Sequence, residues 1–137
     1  MFGHSDGGIT AAGLGFNTAG RDPRVRAVAV LTGAATDFAG DWFPAAGAPA
    51  ALFVHGTSDG VNGYSRSTTM FARARSPKYL LTIDHGTHLT PFVQAPVETQ
   101  IANVIDDFFD LHLAGRPAAQ ERLAVEGNRT GLALQAG

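Results

Sequence analysis

A serine flanked by glycines lies at the start of the chain. The first residues read MFGHSDGG, so that Gly3-His4-Ser5-Asp6-Gly7 fits the pattern G-x-S-x-G. In this pattern the serine lies on a sharp turn between a strand and a helix, with its hydroxyl exposed for attack on a carbonyl carbon. A serine hydroxyl is a weak nucleophile until a neighbouring base accepts its proton. The segment therefore predicts covalent catalysis by Ser5 if the chain also supplies a base and an acid.

An acid and a base follow in the order that this chemistry needs. Asp59 comes shortly after the apolar run AALFVH, and His85 and His88 come after the apolar run KYLLTI. An imidazole can take the serine proton when a carboxylate holds its tautomer and stabilises the imidazolium form. Ser5 and Asp59 are therefore the candidate nucleophile and acid, and His88 is the candidate base, with His85 as the alternative.

These polar residues also have ordinary structural uses. Ser5 could cap a helix, because serine commonly accepts a hydrogen bond from the first helical turn. Asp59 could form a turn in TSDG, a use that is compatible with catalysis. His4 and His55 flank the site and are expected to line or pack the pocket rather than to bind a metal, because no suitably spaced ligand set accompanies them. His112 is expected at the surface of the last long helix.

The elements that must position these residues alternate between strand and helix. Apolar runs of strand length are predicted at 25–31, 50–55 and 78–83, and helices at 7–19, 64–75, 97–113 and 118–125. Such alternation is typical of a mainly parallel sheet with right-handed crossovers and with helices on both faces. We therefore predict an α/β fold with about three parallel strands. Ligands bind at the carboxyl ends of such strands, where the candidate residues lie.

The composition narrows the classes of function. A chain of 137 residues, with 45% hydrophobic and 16% charged residues, is typical of one globular domain. A net charge of −2 without a basic block argues against nucleic acid and anionic membranes, and no run reaches the roughly 18 apolar residues of a membrane span. Without cysteine there is no disulfide, thiolate catalysis or Cys-ligated zinc. No signal peptide is visible, no compartment is indicated, and a small molecule is the expected partner.

The segments GHSDGG, HGTSD and GTH, in this order, resemble the second half of an α/β-hydrolase. The resemblance is strongest to small ester hydrolases similar to dienelactone hydrolases, cutinase-like polyesterases and platelet-activating-factor acetylhydrolases. It covers roughly residues 1–115 of a single domain, with 116–137 as a short helix and a loose tail. GTH resembles the loop that carries the catalytic histidine in this family, which favours His88 over His85.

The resemblance implies ester hydrolysis through an acyl-enzyme intermediate, with no metal or organic cofactor. Ser5 would attack the carbonyl, His88 would accept and return the proton, and Asp59 would orient His88. The backbone N–H of Asp6 would be one donor of the oxyanion hole. In the family the other donor comes from a loop after an earlier strand, and nothing like it precedes Ser5. The chain is therefore expected to be a truncated hydrolase.

The substrate pocket is the part that the resemblance describes least. The loop at 32–49 is too short for a cap domain, which suggests an open site suited to accessible or bulky esters. Its aromatic residues either line that pocket, together with His4, or pack beneath the loop. These aromatic residues are Phe38, Trp42 and Phe43.

Two other functions fit the same sequence. A bare sheet edge invites pairing with another chain. The second hypothesis is therefore an inactive hydrolase fragment that self-associates through this edge or needs an N-terminal partner. The third is another reaction on the same fold, such as amide or peptide hydrolysis or perhydrolysis, which a resemblance of fold does not separate from ester hydrolysis.

Overall fold

A computed structural model describes residues 1–36, 39–44 and 46–137. Its elements in chain order are β1 (Phe2–His4), α1 (Asp6–Phe16), β2 (Ala27–Leu31), β3 (Ala50–Gly56), α2 (Ser65–Arg73), β4 (Lys78–Ile83), α3 (Thr90–Val93), α4 (Val97–His112), α5 (Ala119–Glu126) and β5 (Leu132–Ala136). The predicted α/β class is confirmed, and each of the three predicted strands and four predicted helices is present with ends shifted by a few residues. The four-residue helix α3 was not predicted.

The described strands form one sheet in the order β1-β2-β3-β4-β5. Strands β1 to β4 are parallel, whereas β5 runs antiparallel to β4, with Ala136 opposite Tyr79. The prediction of about three strands is therefore wrong, because a short elbow strand and a C-terminal strand join the sheet. The segment predicted as a loose tail contains β5, whose Leu132 is buried in the core while the residues around it are exposed.

Apolar layers cover the sheet on both faces. Alternate residues of β2 point in opposite directions, so that Leu31 packs towards α4 and α5 while Val30 packs towards α1 and α2. This explains why β2 reads as a continuous apolar run, since a strand buried on both faces has no polar side. The fully buried side chains of the α4 face include Ile101, Val104 and Phe108.

Parallel pairing brings the carboxyl ends of β1, β3 and β4 to the same edge of the sheet. The turns that follow these three strands carry the candidate nucleophile, acid and base, so the fold gathers them on one side. None of the helices in the described ranges combines the length and the apolar character needed to cross a membrane.

Candidate active site

Ser5 lies on a strained turn between β1 and α1. Its backbone has φ 53° and ψ −120°, a conformation that costs a residue with a side chain on the order of 1–3 kcal/mol. The turn is held by the Ser5 N–H, which donates to the Leu31 carbonyl at 3.0 Å, and by the Ser5 carbonyl, which accepts from the Ile9 N–H at 2.9 Å. The hydroxyl makes no capping hydrogen bond to α1. A helix cap therefore does not account for this serine.

Glycine at position 3 is required by the close approach of α1 to β1. A Cβ added to Gly3 would collide with the backbone carbonyl of Gly7. A Cβ at Gly8 would lie 3.1 Å from the carbonyl oxygen of Leu31, whereas one at Gly7 would meet nothing within 4 Å. The elbow therefore depends on the missing side chains of Gly3 and Gly8 more than on that of Gly7.

Asp59 is buried in the loop after β3, and only 8% of its surface is exposed. Its Oδ1 accepts hydrogen bonds from the N–H groups of Val61 at 2.8 Å and Asn62 at 2.9 Å, and its Oδ2 lies 2.8 Å from His88 Nδ1. Burial raises the pKa of this carboxyl, but the hydrogen bonds from His88 and the two backbone groups outweigh it and leave the pKa below its ordinary value. Asp59 is therefore an ionised acceptor.

His88 lies in the loop after β4, with 13% of its side chain exposed. Because an ionised carboxylate can only accept, the proton of neutral His88 resides on Nδ1, and Nε2 is left with a lone pair for a substrate or serine proton. His85 is positioned differently. Its side chain is 88% exposed and lies 3.7 Å from Asp84. The fold thus brings His88, and not His85, to Asp59.

His4 connects the elbow to the loop of His88. Its Nε2 donates to the backbone carbonyl of His88 at 2.8 Å, and the two imidazole rings lie 4.7 Å apart between centroids. The His4 ring also meets the edge of Phe92 at 4.8 Å. Since His4 directly precedes Ser5, these contacts hold the elbow beside the base. The Ser5 hydroxyl itself forms no hydrogen bond with another described residue.

The backbone N–H of Asp6 is the candidate oxyanion donor. Asp6 is the first residue of α1, so its N–H has no acceptor inside the helix. The positive end of the helix dipole lies at the same point and favours negative charge there. The group is therefore suited to an oxyanion that forms next to Ser5.

Trp42 and Phe43 lie away from Ser5. Phe43 stacks on Phe16 with 5.3 Å between ring centroids, and the backbone of Trp42 bridges to Asn17. Both contacts are at the C-terminal end of α1, an eleven-residue helix about 16 Å long, whereas Ser5 precedes its other end. Phe43 is a core residue with 8% exposure, and the candidate pocket residue Phe38 lies outside the described residues.

Asn62 is part of the site, although the sequence did not predict it. Its N–H binds Asp59, and its side-chain nitrogen donates to the carbonyl of Thr32 at 2.7 Å, which ties the acid loop to the end of β2. An asparagine just after an Asp-Gly turn is the only signal in the sequence. Across residues 1–36, 39–44 and 46–137, no three His, Asp or Glu side chains are arranged to hold a metal ion.

An apolar cleft of about 330 Å³ opens beside β1, on the face that packs against α4. Phe2 and Phe92 form part of its wall and are 60% and 48% exposed. Leu31, Ile101 and Ile105 line its interior. The cleft lies beside the edge strand β1, which pairs with β2 on one side and with no described strand on the other.

Comparison with known proteins yields a structural likeness only. No protein-family model and no curated protein matches the chain. The chain is similar to the esterase domain of a Rhodothermus marinus protein, with a TM-score of 0.50 and 23% sequence identity. The match covers 64% of this chain and 50% of that domain, so the matched part spans about half the length of that domain. At this identity the likeness shows the fold alone: the α/β fold described above is one that an esterase domain also adopts.

Proposed function

We propose that this chain is a serine hydrolase that cleaves carboxylic esters through Ser5, His88 and Asp59. The observation that carries the proposal is the 2.8 Å hydrogen bond between Asp59 and His88, beside a serine held at positive φ by the elbow. The bond orients the imidazole with Nε2 unprotonated, as a general base requires. Backbone strain at a half-buried serine that makes no capping hydrogen bond also favours a catalytic role over a structural one. The similarity of the fold to that of the Rhodothermus marinus esterase domain also supports the proposal.

The proposed reaction has two halves that use the same residues. Ser5 Oγ forms a bond to the ester carbonyl carbon as its proton moves to His88 Nε2, and the Asp6 N–H stabilises the resulting oxyanion. The bond to the alcohol oxygen then breaks, and His88 returns the proton to the leaving alcohol. Water then attacks the acyl carbon as His88 Nε2 takes its proton, the bond to Ser5 Oγ breaks, and His88 returns the proton to Ser5 while the carboxylic acid leaves. The Ser5 hydroxyl forms no hydrogen bond with another described residue, which is compatible with these reaction steps because catalytic hydrogen bonds often tighten only when substrate binds.

Covalent labelling tests the proposal directly. A fluorophosphonate probe is expected to label the chain at Ser5, and a short-chain nitrophenyl ester to be hydrolysed. Ser5→Ala should abolish both, whereas Ser65→Ala, at an exposed serine on α2, should change neither. Peptide mapping of the labelled protein identifies the residue. Labelling at another serine, or ester hydrolysis that persists in Ser5→Ala, would contradict the assignment.

The exposed sheet edge favours a second candidate function, an inactive hydrolase fragment that self-associates through β1. The edge is unpaired among the described strands, and the apolar cleft beside it leaves Phe2 60% exposed. Strands with open edges pair with other chains, and charged residues, lysine especially, suppress such pairing. A partner supplied by a second copy would cover both features at once.

Sedimentation velocity over a wide range of concentration distinguishes this candidate. Self-association through β1 is expected to appear as a concentration-dependent dimer that Phe2→Lys abolishes. Val125→Lys introduces the same charge at an exposed valine on α5 and serves as the control. A wild-type chain that stays monomeric throughout, or a dimer that persists in Phe2→Lys, would exclude pairing through this edge.

A further inference from the structure

A second histidine lies against Asp59 and has no part in the reaction proposed above. His55 is in β3, is 0% exposed, and lies with its Nε2 3.1 Å from Asp59 Oδ2. Asp59 Oδ2 is the same oxygen that accepts from His88. A fully buried imidazole beside the candidate acid needs an explanation, because burying polar groups carries a cost unless they are hydrogen-bonded.

The hydrogen-bond partners of His55 determine where its proton lies. Its Nε2 is 2.8 Å from the backbone carbonyl of Asn62, and its Nδ1 is 2.7 Å from the hydroxyl of Ser67. A carbonyl oxygen can only accept, so Nε2 carries the proton and Nδ1 accepts from the Ser67 hydroxyl. The Nε2–H therefore points to the Asn62 carbonyl with the Asp59 carboxylate beside it. Both ring nitrogens are satisfied in this single tautomer.

The surroundings keep this imidazole neutral. Burial lowers the pKa of His55, although the carbonyl of Asn62 and the carboxylate of Asp59 oppose the effect. Among the described residues, the other groups that face the ring are Ser67 from α2, the imidazole of His88 and the edge of the Tyr64 ring at 6.0 Å between centroids. None of these adds a negative charge. Because His55 is neutral, it does not compete as a cation with His88 for the Asp59 carboxylate.

We propose that His55 is a positioning residue for the Asp59–His88 pair. As a neutral imidazole with its proton on Nε2, it fixes the carbonyl of Asn62, and the N–H of the same residue holds Asp59 Oδ1. The Nε2–H of His55 also lies beside Asp59 Oδ2. Both carboxylate oxygens are therefore held in place, and the carboxylate is kept oriented towards His88. This inference rests on the proposed function only where it predicts a loss of kcat. The tautomer of His55 and its contacts with Asn62, Ser67 and Asp59 do not depend on whether the chain is an enzyme.

Two amide substitutions at His55 distinguish the role of Nε2 from that of Nδ1. In His55→Gln the amide nitrogen can take the place of Nε2, whereas in His55→Asn the shorter amide reaches only the place of Nδ1 beside Ser67. We expect Asn to lower kcat by about tenfold or more at unchanged KM, and Gln to retain most of the wild-type kcat. His112→Asn is the matched control at a half-buried histidine on α4 that contacts Tyr79. Equal losses in both variants, or losses confined to KM, would overturn the proposal.

Nitrogen-15 NMR of histidine-labelled protein tests the inference without activity. His55 should show a protonated Nε2 and an unprotonated Nδ1 at neutral pH. The downfield Nδ1–H resonance of His88 should persist in His55→Gln and weaken in His55→Asn. A proton on Nδ1 of His55, a doubly protonated ring, or a His88 signal indifferent to both variants would contradict it. If the expected spectra accompany a chain without hydrolase activity, the proposed function fails while the positioning of Asp59 and His88 by His55 stands.

Discussion

Asp59→Asn is expected to lower kcat for ester hydrolysis by about 10⁴-fold while the protein stays folded. The amide has the shape of the carboxylate, and its oxygen is held by the N–H groups of Val61 and Asn62 on the Oδ1 side. The amide nitrogen then faces His88 Nδ1 and can only donate. His88 must carry its proton on Nε2 instead, and a protonated Nε2 cannot accept the proton of Ser5.

The control for this variant is Asp84→Asn, which removes an exposed carboxylate at the end of β4, beside His85. It should leave kcat unchanged. Initial rates with a nitrophenyl ester measure the effect, and urea unfolding checks that both variants are folded. Activity in Asp59→Asn close to that of the wild type would show that the buried hydrogen bond between Asp59 and His88 has no catalytic role.

Gly3→Ala is expected to destabilise the protein by about 3 kcal/mol, the upper end of the usual cost of overpacking. The added Cβ would meet the carbonyl of Gly7, which is backbone and cannot rotate away like a flexible side chain. The elbow would have to open, and Ser5 would lose the conformation that exposes its hydroxyl. Labelling by the fluorophosphonate should therefore fall together with stability.

Gly7→Ala provides the matched comparison within the same motif. Its Cβ would enter open space in the first turn of α1, and alanine favours a helix over glycine. We expect its urea midpoint to equal or exceed that of the wild type. If Gly3→Ala were as stable as Gly7→Ala, close packing of α1 on β1 could not be what fixes the elbow.

The long strands and helices could be predicted because each carries its own periodicity. The strand β2 is apolar throughout, and α4 repeats buried residues at helical spacing, so neither depends on distant partners for its recognition. The strands β1 and β5 could not be predicted in the same way. Three residues show no period, and β5 is mostly exposed and forms because its backbone pairs with β4, from which it is distant in sequence.

The candidate site divides along the same line. Asp59 and His88 are candidates by residue type and order because each follows a strand that the sequence predicts, whereas Ser5 is a candidate through the G-x-S-x-G pattern alone. The pattern GTH favours His88 over His85 only by resemblance, and the physical reason is a turn in which His85 adopts φ 52° and its side chain extends into solvent. Asn62 contacts Thr32, and Ser67 contacts His55, both across elements that are distant in sequence. Phe43 lies in the core because it stacks on Phe16. These roles depend on tertiary packing.

Dipoles that the fold holds in place surround the carboxylate of Asp59. Its carboxylate is solvated by the protein, through two backbone N–H groups and His88, with the dipole of His55 alongside. In the proposed reaction, these dipoles would point at the negative charge before a positive charge forms on His88. Bulk water would have to reorient at that moment, whereas a preorganised shell does not. In the proposed reaction, the buried acid loop would therefore stabilise the charge on His88 without the reorientation that bulk water requires.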